Sequence, residues 1–292
     1  MAPTDGLQLG LFLTPEAAQL DALRAQVALA DRGGLDQLHV QDHPYQRRQL
    51  DTMSLIPDLL ARTERLRVVT AVANLPLRHP AMLAKAAATL SVLSGGRFEL
   101  GLGSGAFWDA VVAMGGVRRT PREAVDALEE AIPLIRRAWA GEPSIRSDGP
   151  IYPVHGYRPG PVPERPPGIW LGAYRPRMLR LTGGLADGWI PTSPYAPPEV
   201  LPEMQQRIDD AAATAGRDPE AVHRVYVINA RITDGAVDGL SGPVEHWVDQ
   251  IARFHRDLRF DALILWPDGD DVDAQVRRFV EEVAPAARAA VA

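Results

Sequence analysis

Residues 81–105 read AMLAKAAATLSVLSGGRFELGLGSG, and the fold turns on how this stretch is parsed. Residues 81–93 are dominated by alanine and leucine, strong helix formers, so they are expected to be helical. Gly95 and Gly96 follow, and glycine is the residue that most readily takes the left-handed turn ending a helix. Residues 97–102 then form a short β-like run, trailed by Gly103-Ser104-Gly105. The stretch is therefore a helix, a stop and a strand.

The same unit recurs in both directions. Upstream, strands are expected at 7–13, 35–40 and 66–72. The helix between the first two carries Leu20, Leu23, Val27 and Ala30 at spacings of three and four and is closed by Gly33-Gly34; a second helix covers 52–63. Downstream, Val125, Leu128, Ile132, Ile135 and Trp139 mark a fourth helix, which Pro133 is expected to kink. Strands follow at 169–172, 188–191, 225–231 and 260–266, with helices from Pro176, over 198–215, through Trp247, Ile251, Phe254 and Leu258, and through Val272, Val276, Phe279 and Val283. Eight strand–helix units are more than a doubly wound sheet needs and enough to close a (β/α)8 TIM barrel, here a single domain over residues 1–292. One stretch breaks the rhythm. Residues 141–168 are dense in proline and glycine without helical period, and are expected to form an irregular insertion after helix four lying over the barrel mouth.

Composition narrows the chemistry. The chain has 292 residues, 46% hydrophobic and 23% charged, and a formal charge of −6, the profile of a globular protein. The negative balance and the absence of a concentrated basic face argue against nucleic acid. No apolar run reaches the roughly 20 residues that span a bilayer, and no basic-then-apolar leader opens the chain, so a cytoplasmic address is expected and no membrane partner. With no cysteine there are no disulfides, thiolate metal sites or cysteine nucleophiles. Lys85 is the sole lysine, which leaves little for Schiff-base chemistry. A G-x-S-x-G elbow, a phosphate-binding G-x-x-x-x-G-K-[ST] loop and a zinc-type histidine pair are all missing, so no metal is expected.

Barrel enzymes carry their chemistry at the C-terminal ends of the strands. Those ends hold Asp42-His43, Ala71-Val72-Ala73-Asn74, Gly101 to Gly105, Tyr174-Arg175-Pro176-Arg177-Met178 and Trp266. Together with Arg78-His79-Pro80, the block from Leu93 to Gly105 and Leu185-Ala186-Asp187-Gly188-Trp189, these motifs resemble the luciferase-like monooxygenase family, whose members use coenzyme F420 or reduced FMN. The Asp42-His43-Pro44 sequence is closer to the F420-dependent branch.

The resemblance implies roles. His43 is the catalytic proton donor or acceptor at the reactive edge of the ring, and Asp42 hydrogen-bonds the ring system. A cis peptide at Ala71–Val72 forms a bulge behind the ring, with Asn74, Ser104 and Gly105 in reach of it. Tyr174, Arg175, Arg177 and Met178, at the start of a helix, hold the cofactor phosphate; the residues alone support this, because a helix N-terminus and nearby arginines favour an anion. Phe107 and Trp108 are candidate substrate walls, and Trp170, Trp189 and Trp266 either join them or pack the barrel. His79 and His155 are structural or surface residues. Branch members that act on sugar phosphates place a glutamate after the strand-four glycines, where this chain has Ala106; the substrate is thus expected to be small and uncharged. Each residue also has a plainer explanation: a histidine bonding its own loop, solvated arginines, glycines fitted to a crowded barrel. Gly101, Gly103, Gly105 and Ala106 also match the dinucleotide fingerprint formally, but Phe107-Trp108 follow, and the acid-rich segment about 20 residues on, Glu123 to Glu130, reads as helix where the fingerprint needs an acid ending a strand. Three functions stay open: an F420-dependent hydride-transferring oxidoreductase, an FMN-dependent monooxygenase served by a flavin reductase, and a non-enzymatic barrel binding a phosphorylated ligand. The resemblance implies a homodimer.

Overall fold

The computed structural model describes residues 6–292. Its strands are β1 (Gln8–Leu13), β2 (Gln37–Val40), β3 (Arg67–Thr70) continued by β4 (Ala73–Asn74), β5 (Phe98–Gly103), β6 (Ile145–Ser147), β7 (Val154–Tyr157), β8 (Ile169–Leu171), β9 (Gly188–Trp189), β10 (His223–Ala230) and β11 (Ala262–Pro267). Apart from β6 and β7, each pairs in parallel with its neighbours in chain order, and β11 returns to β1, so the sheet closes with eight staves. The helices are α1 (Leu20–Arg32), α2 (Thr52–Ala61), α3 (Pro80–Ser94), α4 (Trp108–Ala113), α5 (Pro121–Trp139), α6 (Pro176–Leu185), α7 (Leu201–Thr214), α8 (Val244–Arg256), α9 (Val272–Arg278) and α10 (Ala284–Val291). A single π turn, Phe279–Val283, joins the last two. The expected (β/α)8 barrel is what forms.

Alternation along the strands sorts the core into two parts. Phe12, Val69, Trp170, Val225, Val227 and Ile264 fill the lumen, while Leu9, Leu11, Leu38, Val68 and Leu263 face outward onto the helices. A strand's side-chain period of two forces this split. The helices are delimited by local chemistry. Thr120 and Glu123 form a reciprocal capping box at the start of α5, ahead of Pro121. His79 accepts from the Ala81 amide at the start of α3, and Gly95, at φ 66°, ends it in the left-handed region. α5 continues through Pro133, which lies on its exposed side.

The insertion differs from expectation. It is a two-stranded antiparallel ribbon, β6 with β7, and none of residues 141–168 lines the cavity at the barrel mouth. The ribbon lies outside, along α3 and α5: Ile151 and Tyr152 donate their amides to Glu130, the Tyr157 hydroxyl donates to the Ala81 carbonyl, and Ser91 donates to the Arg165 carbonyl. Ile145, Tyr152 and Val154 are buried there. Proline and glycine mark where a chain turns, whereas these three apolar side chains decide where it rests. Among the described residues, no helix is long and apolar enough to cross a membrane.

Candidate active site

At the C-terminal ends of the strands a cavity of about 580 Å³ opens, walled by the ends of β1, β2, β4, β5 and β11 and the loop into α6. His43, Asp42, Ala71, Val72, Asn74, Ser104, Gly105, Phe107, Tyr174, Arg175 and Met178, all expected at the site, line it. Arg177 and Trp108 do not. The structure therefore brings together four segments scattered over 137 residues of chain, from Asp42 to Met178, around one opening.

His43 is half-buried. Its ring stacks on Tyr45 with centroids 5.4 Å apart and planes at 22°, and Phe107 meets it edge-on at 5.4 Å and 67°. Burial lowers the imidazole pKa below its usual 6.5, against a raising contribution from the Asp42 charge. Near neutral pH the ring is thus uncharged, with one nitrogen free to accept a proton. Tyr45 was not picked out in the sequence, although it stands two residues beyond His43. Burial, with the Asp42 charge beside it, pushes its phenol up to about 12, so it remains a hydroxyl donor.

Asp42 has a structural role that the sequence did not suggest. It is 1% exposed, and both carboxylate oxygens are taken by the protein: Oδ2 accepts from the Asn74 amide and Arg78 Nε, each at 2.9 Å, and Oδ1 accepts from a second Arg78 nitrogen at 2.7 Å. Arg78 continues to Asp51, the N-cap of α2, at 2.6 Å. Asp42 is accordingly a clamp joining β2, β4 and α2. These bonds use three of the roughly four acceptor positions of a carboxylate, and Asp42 also lines the cavity. Removing one partner of such a buried pair costs about 3–5 kcal/mol, because the other charge is left unpaired.

The Ala71–Val72 peptide is cis. Val72 wedges between two glycines: a Cβ on Gly103 would come within 2.7 Å of Val72 Cγ2, and one on Gly172 within 3.3 Å of Cγ1. A Cβ on Gly101 would collide with the Thr70 carbonyl, and one on Gly105, at φ 110°, would lie 2.5 Å from Pro76 and 3.0 Å from the Trp108 ring. The glycines of the block are therefore demanded by protein packing, and the cavity wall is the outcome. Trp108 stands behind Gly105, which is why it misses the cavity. Trp170 fills the lumen, Trp189 donates to the Ala173 carbonyl within the outer core, and Trp266 alone of these three reaches the opening, paired with Phe12 at 4.7 Å.

Two features could hold a cofactor. Asn74 Oδ1 is buried on the cavity wall and lacks a hydrogen-bond partner among the described residues. α6 starts at Pro176 with no side-chain cap, and its first residues, Arg175 and Met178 among them, face the opening. The amides at the start of a helix have no acceptor within it and carry its positive end, so an anion is favoured there. Arg175 is exposed at this point. Arg177 turns away to α5, where it pairs with Asp126 at 2.5 Å and Glu129 at 2.8 Å, so it is not available to a phosphate as expected. Among the described residues no cluster of three or more histidine, aspartate or glutamate side chains could hold a metal.

The family model described as luciferase-like monooxygenase matches residues 7–261. An F420-dependent glucose-6-phosphate dehydrogenase of Microbacterium testaceum is 33% identical over 200 residues, 66% of this chain and 59% of that protein. A phthiodiolone/phenolphthiodiolone dimycocerosates ketoreductase of Mycobacterium tuberculosis is 37% identical over 186 residues, covering 62% of this chain and 48% of that one. The chain thus spans only 48–59% of the length of these relatives. Among solved structures, an F420-dependent secondary alcohol dehydrogenase in complex with an F420–acetone adduct superposes with a TM-score of 0.86 at 19% identity, covering 97% of this chain and 99% of that one. The oxygenating constituent of 3,6-diketocamphane monooxygenase of Pseudomonas putida, with FMN, gives 0.75 at 17% identity, covering 96% and 98%. At those identities the structures share the fold.

Proposed function

Because the chain belongs to the luciferase-like monooxygenase family, we propose that it is an F420-dependent oxidoreductase that moves a hydride between the deazaflavin and a small, uncharged organic substrate. The observation that carries this is the convergence of His43, the Ala71–Val72 bulge, Gly103–Gly105 and the α6 N-terminus on one cavity. The F420-dependent Microbacterium relative favours the deazaflavin over FMN.

Coenzyme F420, when bound, supplies a ring carbon that gives or takes a hydride. The start of α6 and Arg175 would hold its phosphate, while Asn74 Oδ1 and Ser104 offer polar contacts and the Val72 wedge an apolar backing. His43 accepts the proton of a substrate hydroxyl as the hydride leaves its carbon; in reverse, protonated His43 returns that proton to a carbonyl oxygen. Tyr45 offers a hydroxyl donor beside it. Of the cavity's other ionisable side chains, Asp42 is neutralised by Arg78 and Arg175 stands at the anion end, so nothing complements a charged substrate.

Titration of the protein with F420, followed by deazaflavin fluorescence, tests the assignment. Saturable binding roughly tenfold tighter than FMN is expected, a difference of about 1.4 kcal/mol. His43→Ala should bind F420 normally and lose about 10²–10⁴ in turnover. Preferential binding of FMN with substrate-dependent oxygen uptake would replace this reading by a monooxygenase. Redox turnover no higher than background in native protein and His43→Ala alike would point to a binding barrel.

A further inference from the structure

We propose that Phe107 is the specificity-determining residue of this site, a ring laid over His43 that selects substrates whose reacting carbon carries a bulky apolar group. The chemistry at that carbon rests on the oxidoreductase reading; the role of the ring rests on separate observations.

Phe107 has φ 51° and ψ 50°, and it and Arg259 are the two non-glycine residues with positive φ among those described. The left-handed region brings Cβ against the following carbonyl, so a bulky residue there is strained. Phe107 is also the N-cap of α4, a position where serine, threonine, asparagine, aspartate or glycine is favoured, and its side chain makes no capping hydrogen bond. Both backbone and cap therefore favour another residue. Burial does not offset this, since Phe107 is 54% exposed. Its ring contacts are with the site itself: His43 edge-on at 5.4 Å, and Tyr45 at 5.7 Å and 50°. Strain kept at a residue whose ring leans on a proton-transferring histidine points to the site rather than to the fold.

The surroundings define what the ring selects. Phe12 and Trp266, paired at 4.7 Å, share the cavity with Val72, Ile190 and Met178. Besides His43 and Tyr45, the polar side chains on the wall include Gln41, the Arg78-bound Asp42, Asn74, Ser104, Arg175 at the α6 end and the Tyr174–Thr192 hydroxyl pair at 3.0 Å. A molecule with one small polar centre and an apolar arm satisfies both. Its polar atom meets His43, and its arm packs on the exposed face of Phe107, removing apolar surface from water on both sides.

Binding of a chain-length series, 2-butanone, 2-hexanone and 2-octanone, tests this without turnover. Calorimetry is run on the protein saturated with oxidised F420, which cannot reduce a ketone, and repeated without cofactor. Native protein should gain up to about fourfold in affinity per methylene, the burial of one CH₂. Phe107→Gly should flatten that gain to less than about twofold while melting no lower than native, because glycine takes the left-handed backbone without strain. Phe107→Tyr should keep the gain. An equal gain per methylene in native and Phe107→Gly protein, no gain in native protein, or a lowered melting temperature in Phe107→Gly would overturn the proposal. Failure of F420 to bind at all, with the chain-length gain intact in the cofactor-free protein, would count against the oxidoreductase reading and leave the role of Phe107 standing.

Discussion

His43 and Asp42 are adjacent in sequence and share the end of one strand, yet their surroundings assign them different work. The Asp42 carboxylate is surrounded by donors from Asn74 and Arg78, whereas the His43 ring is flanked by the aromatic Tyr45 and Phe107. The pair was visible as a motif; the division of labour was not, because Arg78 lies 36 residues away and only the closed barrel brings it back. The consequence is a pH dependence with a definite sign. Since burial places the folded His43 pKa below 6.5, the neutral, proton-accepting form prevails at pH 7 and is lost as pH falls through that lowered value. In the direction of alcohol oxidation, kcat/KM should therefore be level near neutrality and decline on an acid limb below 6.5, a limb missing from the residual rate of His43→Gln. An acid limb centred above 6.5 would contradict the burial argument.

The N-terminus of α6 shows the same lesson for an element. Arg175 and Arg177 look equivalent in the sequence, two arginines around Pro176. In the structure Arg175 is the N-cap residue facing the cavity, and Arg177, two positions on, is swung round the helix to Asp126 and Glu129 of α5. Arg175→Ala should weaken F420 about tenfold, within the range of one charge at a helix end, and the loss should shrink at high salt. Arg177→Ala should leave F420 affinity unchanged and lower stability by no more than about 1 kcal/mol, since both partners are partly exposed. Fluorescence titration and urea unfolding of the two variants check this, and equal losses of affinity in both would refute the assignment. β5 was legible as an element from the β-like run that follows the Gly95-Gly96 stop, but what its own glycines do was not: Gly101 yields to Thr70 and Gly103 to Val72, neighbours contributed by another stave and its continuation.

Across the whole molecule, the closed sheet encloses groups that no local pattern would place inside. His39 projects into the lumen, wholly buried; its Nε2 donates to Gln37 Oε1 at 2.8 Å, and Nδ1 has no partner among the described residues. Burial, then the nearby His223, pushes its pKa down to about 3. Unfolded, it titrates near 6.5, so between those values the unfolded chain binds more protons and stability falls as pH falls. From pH 6.5 to 5 this one group accounts for a loss of about 2 kcal/mol, at about 1.4 kcal/mol per pH unit. Urea midpoints at pH 7 and 5 should show that loss reduced by about that amount in His39→Gln, and an unchanged slope would place the titration elsewhere. By itself the sequence determined the eight-unit alternation, the helix stops at glycine, the helix start at Pro176 and the Asp42-His43 motif, because each is written in residues close along the chain; the Ala71–Val72 bond was legible only through the family resemblance. Only the tertiary structure decided that Arg78 claims Asp42, that α5 claims Arg177, that the insertion lies against α3 and α5, and that Phe107 leans on His43. Those outcomes depend on which surfaces barrel closure brings together, and burial and charge pairing act through space without regard to sequence distance.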